Sequence, residues 1–303
     1  MQGPGRRSLI TRRVGTIGII LPPDFDQLGV NLYHGTLHSS LRSVLERNDI
    51  DLLVSFLNNH FTGANNIRKL VARKKVDGLI IVQPVFEREL TDYLHAKEMP
   101  FVFSHYPPPD PCPQDVDVIY PDNEYGGYLA GRHLASIGKR RILCVTAPGE
   151  KNTDREFVLR LAGTRRALSE AGIAFGPDDL LSGNKTMESG YDAVMAASDR
   201  IRRYDAILAL NDLMAIGAMS AVGRLGLRVP EDIALIGYDD TDLAACTRPS
   251  LTTIHQPREE LSHATCERLL ELIRTRRAGG GKDEARRTLL TPRLVVRETT
   301  GPA

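Results

Sequence analysis

Short, near-continuous apolar runs recur along this chain with longer helical stretches between them, and that alternation limits the possible folds more than any other feature. The runs are TIGIIL (16–21), DLLVSFL (51–57), GLIIV (78–82), FVFS (101–104), RILCVT (141–146), AILAL (206–210) and IALIG (233–237). A strand that is apolar at successive positions is buried on both faces, as in a parallel sheet covered by helices on each side. Between the first two runs, residues 34–47 put Leu37, Leu41, Val44 and Leu45 on one stripe with the 3.6-residue period of a crossover helix. The pattern predicts βαβ repetition and a doubly wound α/β fold. A chain of 303 residues buries roughly three quarters of its unfolded surface and at this size commonly divides into two lobes.

Charge and cysteine usage narrow the function classes. With 39 Lys and Arg against 38 Asp and Glu, the net charge is +1. The body therefore lacks the electrostatic footprint of a nucleic-acid or membrane binder. Cys112, Cys144, Cys246 and Cys266 are far apart and form no C-x-x-C pair, which argues against a zinc ribbon or a secreted disulfide framework and for a reduced, cytoplasmic protein. The apolar stretch Val14–Pro22 is short, carries two glycines and has no small-residue cleavage site. No segment has the length of a membrane span.

Ligands of open parallel sheets bind beyond the carboxyl ends of the strands, so the residues after each run are the candidates. Asp24 follows the first, Gln83 the third, His105 the fourth, Asn211 and Asp212 the run ending at Leu210, and Asp239 and Asp240 the run ending at Gly237. Asp212 is placed to cap a helix starting at Leu213, and such residues often do no more than cap or turn. Several acids and amides at one sheet edge also suit a polar-ligand site.

Enzyme signatures are missing. There is no G-x-x-x-x-G-K-[ST], no G-x-G-x-x-G after the first strand, no G-x-S-x-G and no H-E-x-x-H. His34 and His38 stand at helical i, i+4 spacing without a third metal ligand nearby. Asp239 and Asp240 could pair as acid and base, but adjacent residues at a strand end point apart. Neither a catalytic residue, a metal nor a cofactor is expected.

The stretch LALNDLMAIGAMSAVGRLGLRVPEDIALIGYDDTDLAACTRPSLTTIHQP (208–257) resembles the signature region of the lactose-repressor/galactose-repressor (LacI/GalR) family of transcriptional regulators. TIGIILP after an Arg-rich lead, DNEYGGYLAGRHLASIGKRRI (122–142), RLAGTRRALSEAGI (160–173) and LVVRETT (294–300) extend the likeness from about residue 6 to residue 300. The resemblance implies two Rossmann-like lobes of periplasmic-binding-protein type I architecture, each discontinuous in sequence. The amino-terminal lobe would take 14–137 and 255–288; the other would take 138–254 and 289–303. A small sugar or sugar-derived effector would lie between them and, in a homodimer, control operator binding.

Family binding positions transfer one at a time. The arginine of R-x-x-G falls on Arg160, ahead of Gly163; a planar donor fork suits vicinal hydroxyls or a carboxylate. Without the resemblance it would read as one solvated arginine among Arg155, Arg165 and Arg166. The asparagine of N-D-x-M-A falls on Asn211. The first acid of GYDD falls on Asp239, whose carboxylate can accept two hydroxyl protons, while Asp240 supports the turn. Tyr125 and His105 are further candidates for the binding wall.

Departures from the family shape the expectations as much. Leu28 and Gly29 stand where relatives commonly carry an aromatic pair, which weakens the case for stacking on a flat ring. Lys185 stands at a position often aromatic; facing the ligand it would favour an acid or phosphate, and otherwise it is a solvated loop lysine. The family's helix-turn-helix has no counterpart in these residues, which start at MQGPGRRSLITRR. Arg6, Arg7, Arg12 and Arg13 resemble the end of the DNA hinge segment, or form a disordered basic tail of residues 1–13. The expected function is the effector-binding and dimerisation core of a regulator; a cytosolic sugar receptor with no DNA partner is the alternative.

Overall fold

The computed structural model describes residues 15–22, 28–82, 86–147, 154–280 and 284–301. In chain order the elements are β1 (Thr16–Leu21), α1 (Leu28–Glu46), β2 (Asp51–Phe56), α2 (Asn66–Ala72), β3 (Gly78–Ile81), α3 (Arg88–Ala96), β4 (Phe101–Ser104), β5 (Val118–Pro121), α4 (Asn123–Ser136), β6 (Ile142–Thr146) and α5 (Arg155–Glu170). They continue with β7 (Leu180–Ser182), α6 (Met187–Ala196), β8 (Ala206–Ala209), α7 (Asp212–Arg224), β9 (Ala234–Ile236), α8 (Asp242–Cys246), β10 (Thr253–His255), α9 (Arg258–Arg277), β11 (Arg287–Leu290) and β12 (Arg293–Val295). None of the described helices is long and apolar enough to cross a membrane.

The first unit has the sheet order β11-β5-β4-β3-β1-β2. The pairs β1/β2, β1/β3, β3/β4 and β4/β5 are all parallel, and the order reverses between β1 and β3. One face buries Ile17, Ile19 and Leu21 against Leu37, Leu41 and Leu45 of α1 and Leu269 and Ile273 of α9. The other buries Ile20, Leu79, Ile81 and Phe103 against Ile67 and Leu70 of α2 and Leu90 and Leu94 of α3. Two apolar faces explain why these strands read as continuous runs. β2 departs from the expectation of full burial: it is the edge strand, none of its residues is buried, and Val54 is exposed. The α1 stripe forms as expected, though the helix starts at Leu28, six residues before the predicted 34.

The second unit has the order β7-β6-β8-β9, parallel throughout, with its reversal between β6 and β8. Its core joins Leu143, Val145, Ile207 and Leu235 of the sheet to Leu129 and Leu134 of α4 and Met214, Ala218 and Val222 of α7. Beyond β9 the chain runs alongside β10, with the amides of Gly237 and Asp239 donating to the carbonyls of Thr252 (2.8 Å) and Ile254 (2.9 Å). β10 pairs in turn with β12, antiparallel.

The segments group differently from the expected lobes. The first unit contains His34–Tyr120 and Arg258–Leu290 with β1, and the second Leu28–Tyr33, Pro121–Pro257 and the chain from Thr291 onward. The first break therefore falls at residue 120, not 137, and α4 moves to the second unit. The reason is the packing of α4 on α5: Gly127 and Gly163 lie directly against backbone of the opposite helix, so closely that a Cβ on either would overlap a carbonyl oxygen.

Candidate functional site

The turn after β9 sets two adjacent carboxylates in an unusual backbone. Asp239 has φ +120° and Asp240 φ +53°, values that L-residues adopt at a cost. The strand-like pairing of 237–239 with 252–255 holds them there, and the two side chains take different partners.

Asp240 is tied into the unit. Its Oδ2 lies 2.8 Å from His255 Nδ1, and its Oδ1 accepts from Arg297 Nη2 at 2.6 Å. Burial works to raise its pKa, but these hydrogen bonds and the charges behind them outweigh burial and hold the carboxyl at about 2. A depressed carboxylate stabilises the folded chain fully above its ordinary value near 3.8, and that contribution is lost as the pH falls through about 2. Asp240→Asn is accordingly expected to flatten the acid branch of a plot of melting midpoint against pH below about 4. An unaltered acid branch would remove this role.

Asp239 faces the opposite group of residues. Its Oδ1 accepts from Gln256 Nε2 at 2.6 Å and lies 3.5 Å from Arg160 Nη1. Arg160 projects from α5 and is 5 % exposed. Its Nε donates to Asn123 Oδ1 (2.9 Å) and its Nη1 to the carbonyl of Leu210 (2.6 Å), the residue just after β8. The guanidinium also lies over the ring of Tyr238 at 3.8 Å and near that of Phe157 at 5.0 Å. Arg160 thus joins the starts of α4 and α5 to the ends of β8 and β9, which makes it a pivot of this edge of the sheet.

The capping role read for Asp212 falls to Asn211. Asn211, not Asp212, is the N-cap of α7, accepting from the Met214 amide at 2.8 Å, and its Nδ2 donates to the Lys185 carbonyl at 3.0 Å. Both ends of this amide are thus used within the unit. Asp212 is fully buried, and accepts from Thr253 Oγ1 (2.6 Å), the Thr241 amide (2.7 Å) and Thr241 Oγ1 (3.0 Å). Burial first, and then the charge of Asp239, push its carboxyl well above the usual range.

Lys185 is partly exposed and paired. Its Nζ lies 2.5 Å from Asp154 Oδ1 and 4.0 Å from Glu156 Oε1, and 5.6 Å from the ring centre of Phe157. Tyr125 sits half-buried in the first turn of α4, its ring stacked on Tyr128 at 6.2 Å. His105 belongs to the first unit, buried at the carboxyl end of β4 with φ +77° and Nδ1 2.7 Å from Ser104 Oγ. Arg6, Arg7, Arg12, Arg13, Asp24 and Gln83 lie outside the described residues, as do the side chains of Leu28, His34 and His38.

The structure adds residues that the sequence did not single out: Asn123, Glu156, Phe157, Tyr238 and Gln256. Tyr238 and Gln256 stood inside the quoted GYDD and IHQP motifs, next to residues already chosen. Asn123 and Glu156 gave no sequence signal beyond position near a helix start, since their partner Arg160 lies on another turn or another helix.

Residues 132–300 match the periplasmic binding protein-like domain family. The transcriptional repressor PurR of Aliivibrio fischeri is 32% identical over 297 residues, covering 97% of this chain and 83% of the relative. Among solved structures, a LacI family transcriptional regulator from Enterococcus faecium with bound ribose superposes with a TM-score of 0.77 at 26% identity, over 95% of this chain and 99% of that one. The lac repressor dimer bound to operator and the anti-inducer ONPF gives a TM-score of 0.78 at 26% identity, over 100% and 99% of the two chains. Relatives of this kind are transcriptional repressors and not enzymes. With a family domain over more than half its length and a repressor relative along nearly all of it, this chain belongs to the LacI family of transcriptional regulators, of which it carries the effector-binding core.

Proposed function

We propose that this chain binds a small hydroxyl-rich ligand, a sugar or sugar derivative, at the strand ends of its second unit, and that the bound ligand sets the affinity of a cytoplasmic homodimer for operator DNA. The observation that carries this is the buried Arg160 guanidinium facing the Asp239 carboxylate at 3.5 Å, a donor fork beside an acceptor pair. Vicinal hydroxyls need that combination, because each hydroxyl both donates and accepts. The ribose-bound relative from Enterococcus faecium supports the ligand class, and the lac repressor dimer on its operator supports the coupling. Within the same unit, Asn211 and Lys185, joined by the Asn211 Nδ2 to Lys185 carbonyl hydrogen bond, and Tyr125 in the first turn of α4 belong to the proposed set. DNA contact is assigned to a helix-turn-helix of the kind the family carries, with Arg6, Arg7, Arg12 and Arg13 as its hinge.

Coupling requires that the ligand bind one conformation better than another; a ligand with equal affinity for both would change nothing at the DNA. The test is a thermal-shift series against neutral sugars, sugar acids and sugar phosphates, repeated on Asp239→Ala. A ligand at 100 times its dissociation constant adds about 2.7 kcal/mol, which moves the midpoint by several degrees. Asp239→Ala removes two charge-assisted hydrogen bonds and is expected to weaken the best ligand about 100-fold while leaving a cooperative unfolding transition. An unchanged affinity would take Asp239 out of the site.

A further inference from the structure

Glu156 lies in the first turn of α5, one turn before Arg160, and is 8 % exposed. Its Oε1 is 4.0 Å from Lys185 Nζ, and its Oε2 meets no hydrogen-bond donor among the described residues. A buried carboxylate oxygen without a donor is costly, and native structures rarely keep one that has no use. Burial raises the pKa of this group, against the opposing charges of Lys185 and Arg160. Neither cation is at the disposal of Glu156 or of an incoming anion. Lys185 is closer to Asp154, at 2.5 Å, and Arg160 is committed to Asn123, the Leu210 carbonyl and Asp239.

Among the described residues that these groups contact, the balance of this corner is therefore acidic: Asp154, Glu156 and Asp239 share Lys185 and Arg160. The amino-terminal end of α5, which would otherwise attract an anion, already holds two carboxylates. A sugar acid or phosphate would enter against this field. A ligand with an ammonium group would supply the donor that Oε2 lacks and the charge that the corner is short of.

We propose that the ligand taken up beside Arg160 and Asp239 carries a positive charge, as an amino sugar does, and that the Glu156 carboxylate receives its ammonium group. This rests on the ligand site read above and names its chemical class. The test compares the chain's thermal midpoint and affinity for glucosamine, galactosamine and mannosamine, each beside its neutral parent sugar and the matching uronic acid, at mildly acidic pH where the amines are protonated. At least one amine is expected to bind about tenfold or more tighter than its parent, with the acid weakest. Glu156→Gln is expected to bring the amine down to the affinity of its parent. Without any ligand the same variant should melt higher than the native chain, since a neutral amide relieves a buried charge that has no donor.

A parent sugar or uronic acid that binds as tightly as its amine overturns the proposal, as does an amine preference that survives Glu156→Gln, or no shift with any amine. A lower ligand-free midpoint for Glu156→Gln also overturns it, by making Glu156 a structural partner of Lys185. If neutral sugars bind without preference for the amine and Asp239→Ala abolishes that binding, the sugar reading stands and only the charge class fails. If binding is indifferent to Asp239→Ala, the sugar reading fails as well.

Discussion

Arg160→Ala is expected to destabilise the chain by about 3–5 kcal/mol and to abolish ligand binding, the cost typical of breaking a buried pair from one side. The side chain is 5 % exposed and meets a carboxylate, an amide oxygen, a backbone carbonyl and an aromatic face at once. Its removal leaves the Asp239 carboxylate beside buried Asp212 with no opposing guanidinium, in a low-dielectric setting. Arg160→Lys should recover little, because an ammonium cannot reach Asn123, Leu210 and Asp239 together or lie flat on Tyr238. Urea unfolding of the two variants measures the effect. A loss under about 1 kcal/mol, the range of exposed ion pairs, would contradict a buried, load-sharing Arg160.

The second large effect is expected at Gly163. Helix propensity alone makes alanine about 1 kcal/mol better than glycine within a helix. In α5 the sign should reverse: a Cβ at 163 would overlap the carbonyl oxygen of Glu124, and one at Gly127 that of Arg160. Backbone atoms cannot swing aside like a side-chain end, so α4 and α5 would have to separate. Gly163→Ala is expected to cost about 3 kcal/mol or more. Because Asn123 opens α4 and Arg160 sits on α5, the same separation would stretch their 2.9 Å hydrogen bond and weaken the ligand. Unfolding and binding measured on one sample check both parts; a variant as stable as the native chain would show that the helices do not approach so closely.

How much of this was legible in the sequence follows from the range over which each interaction acts. β1, β3, β4, β6 and β8 appear within a residue or so of their apolar runs because burial on two faces leaves a local signature. β5, β7, β10, β11 and β12 were missed: they are three or four residues long, and in the last four Ser182, Thr253, Arg287 and Arg293 interrupt any apolar pattern. The first lobe boundary was misplaced for a similar reason. What assigns α4 to the second unit is contact between Gly127 and α5, across tens of residues of sequence, and glycines read locally as helix weaknesses.

The site divides the same way. Asp239 and Asp240 could be told apart in the sequence, because adjacent residues at a strand end diverge, and the structure gives them separate partners. Asn211 and Asp212 could not. Either can cap a helix, and what selects Asn211 is the pair of threonine hydroxyls, Thr241 and Thr253, that reach Asp212 from the next segments. The pairing of Lys185 with Asp154 and Glu156 was equally hidden, since Lys185 precedes α6 while its partners stand at the start of α5.

The most direct measurement is a crystal structure of the chain with the sugar or amino sugar that stabilises it most. The expected result is ligand oxygens within hydrogen-bond distance of both the Asp239 carboxylate and the Arg160 guanidinium. A tightly bound ligand that touches neither group would contradict the assignment of this strand edge as the effector site.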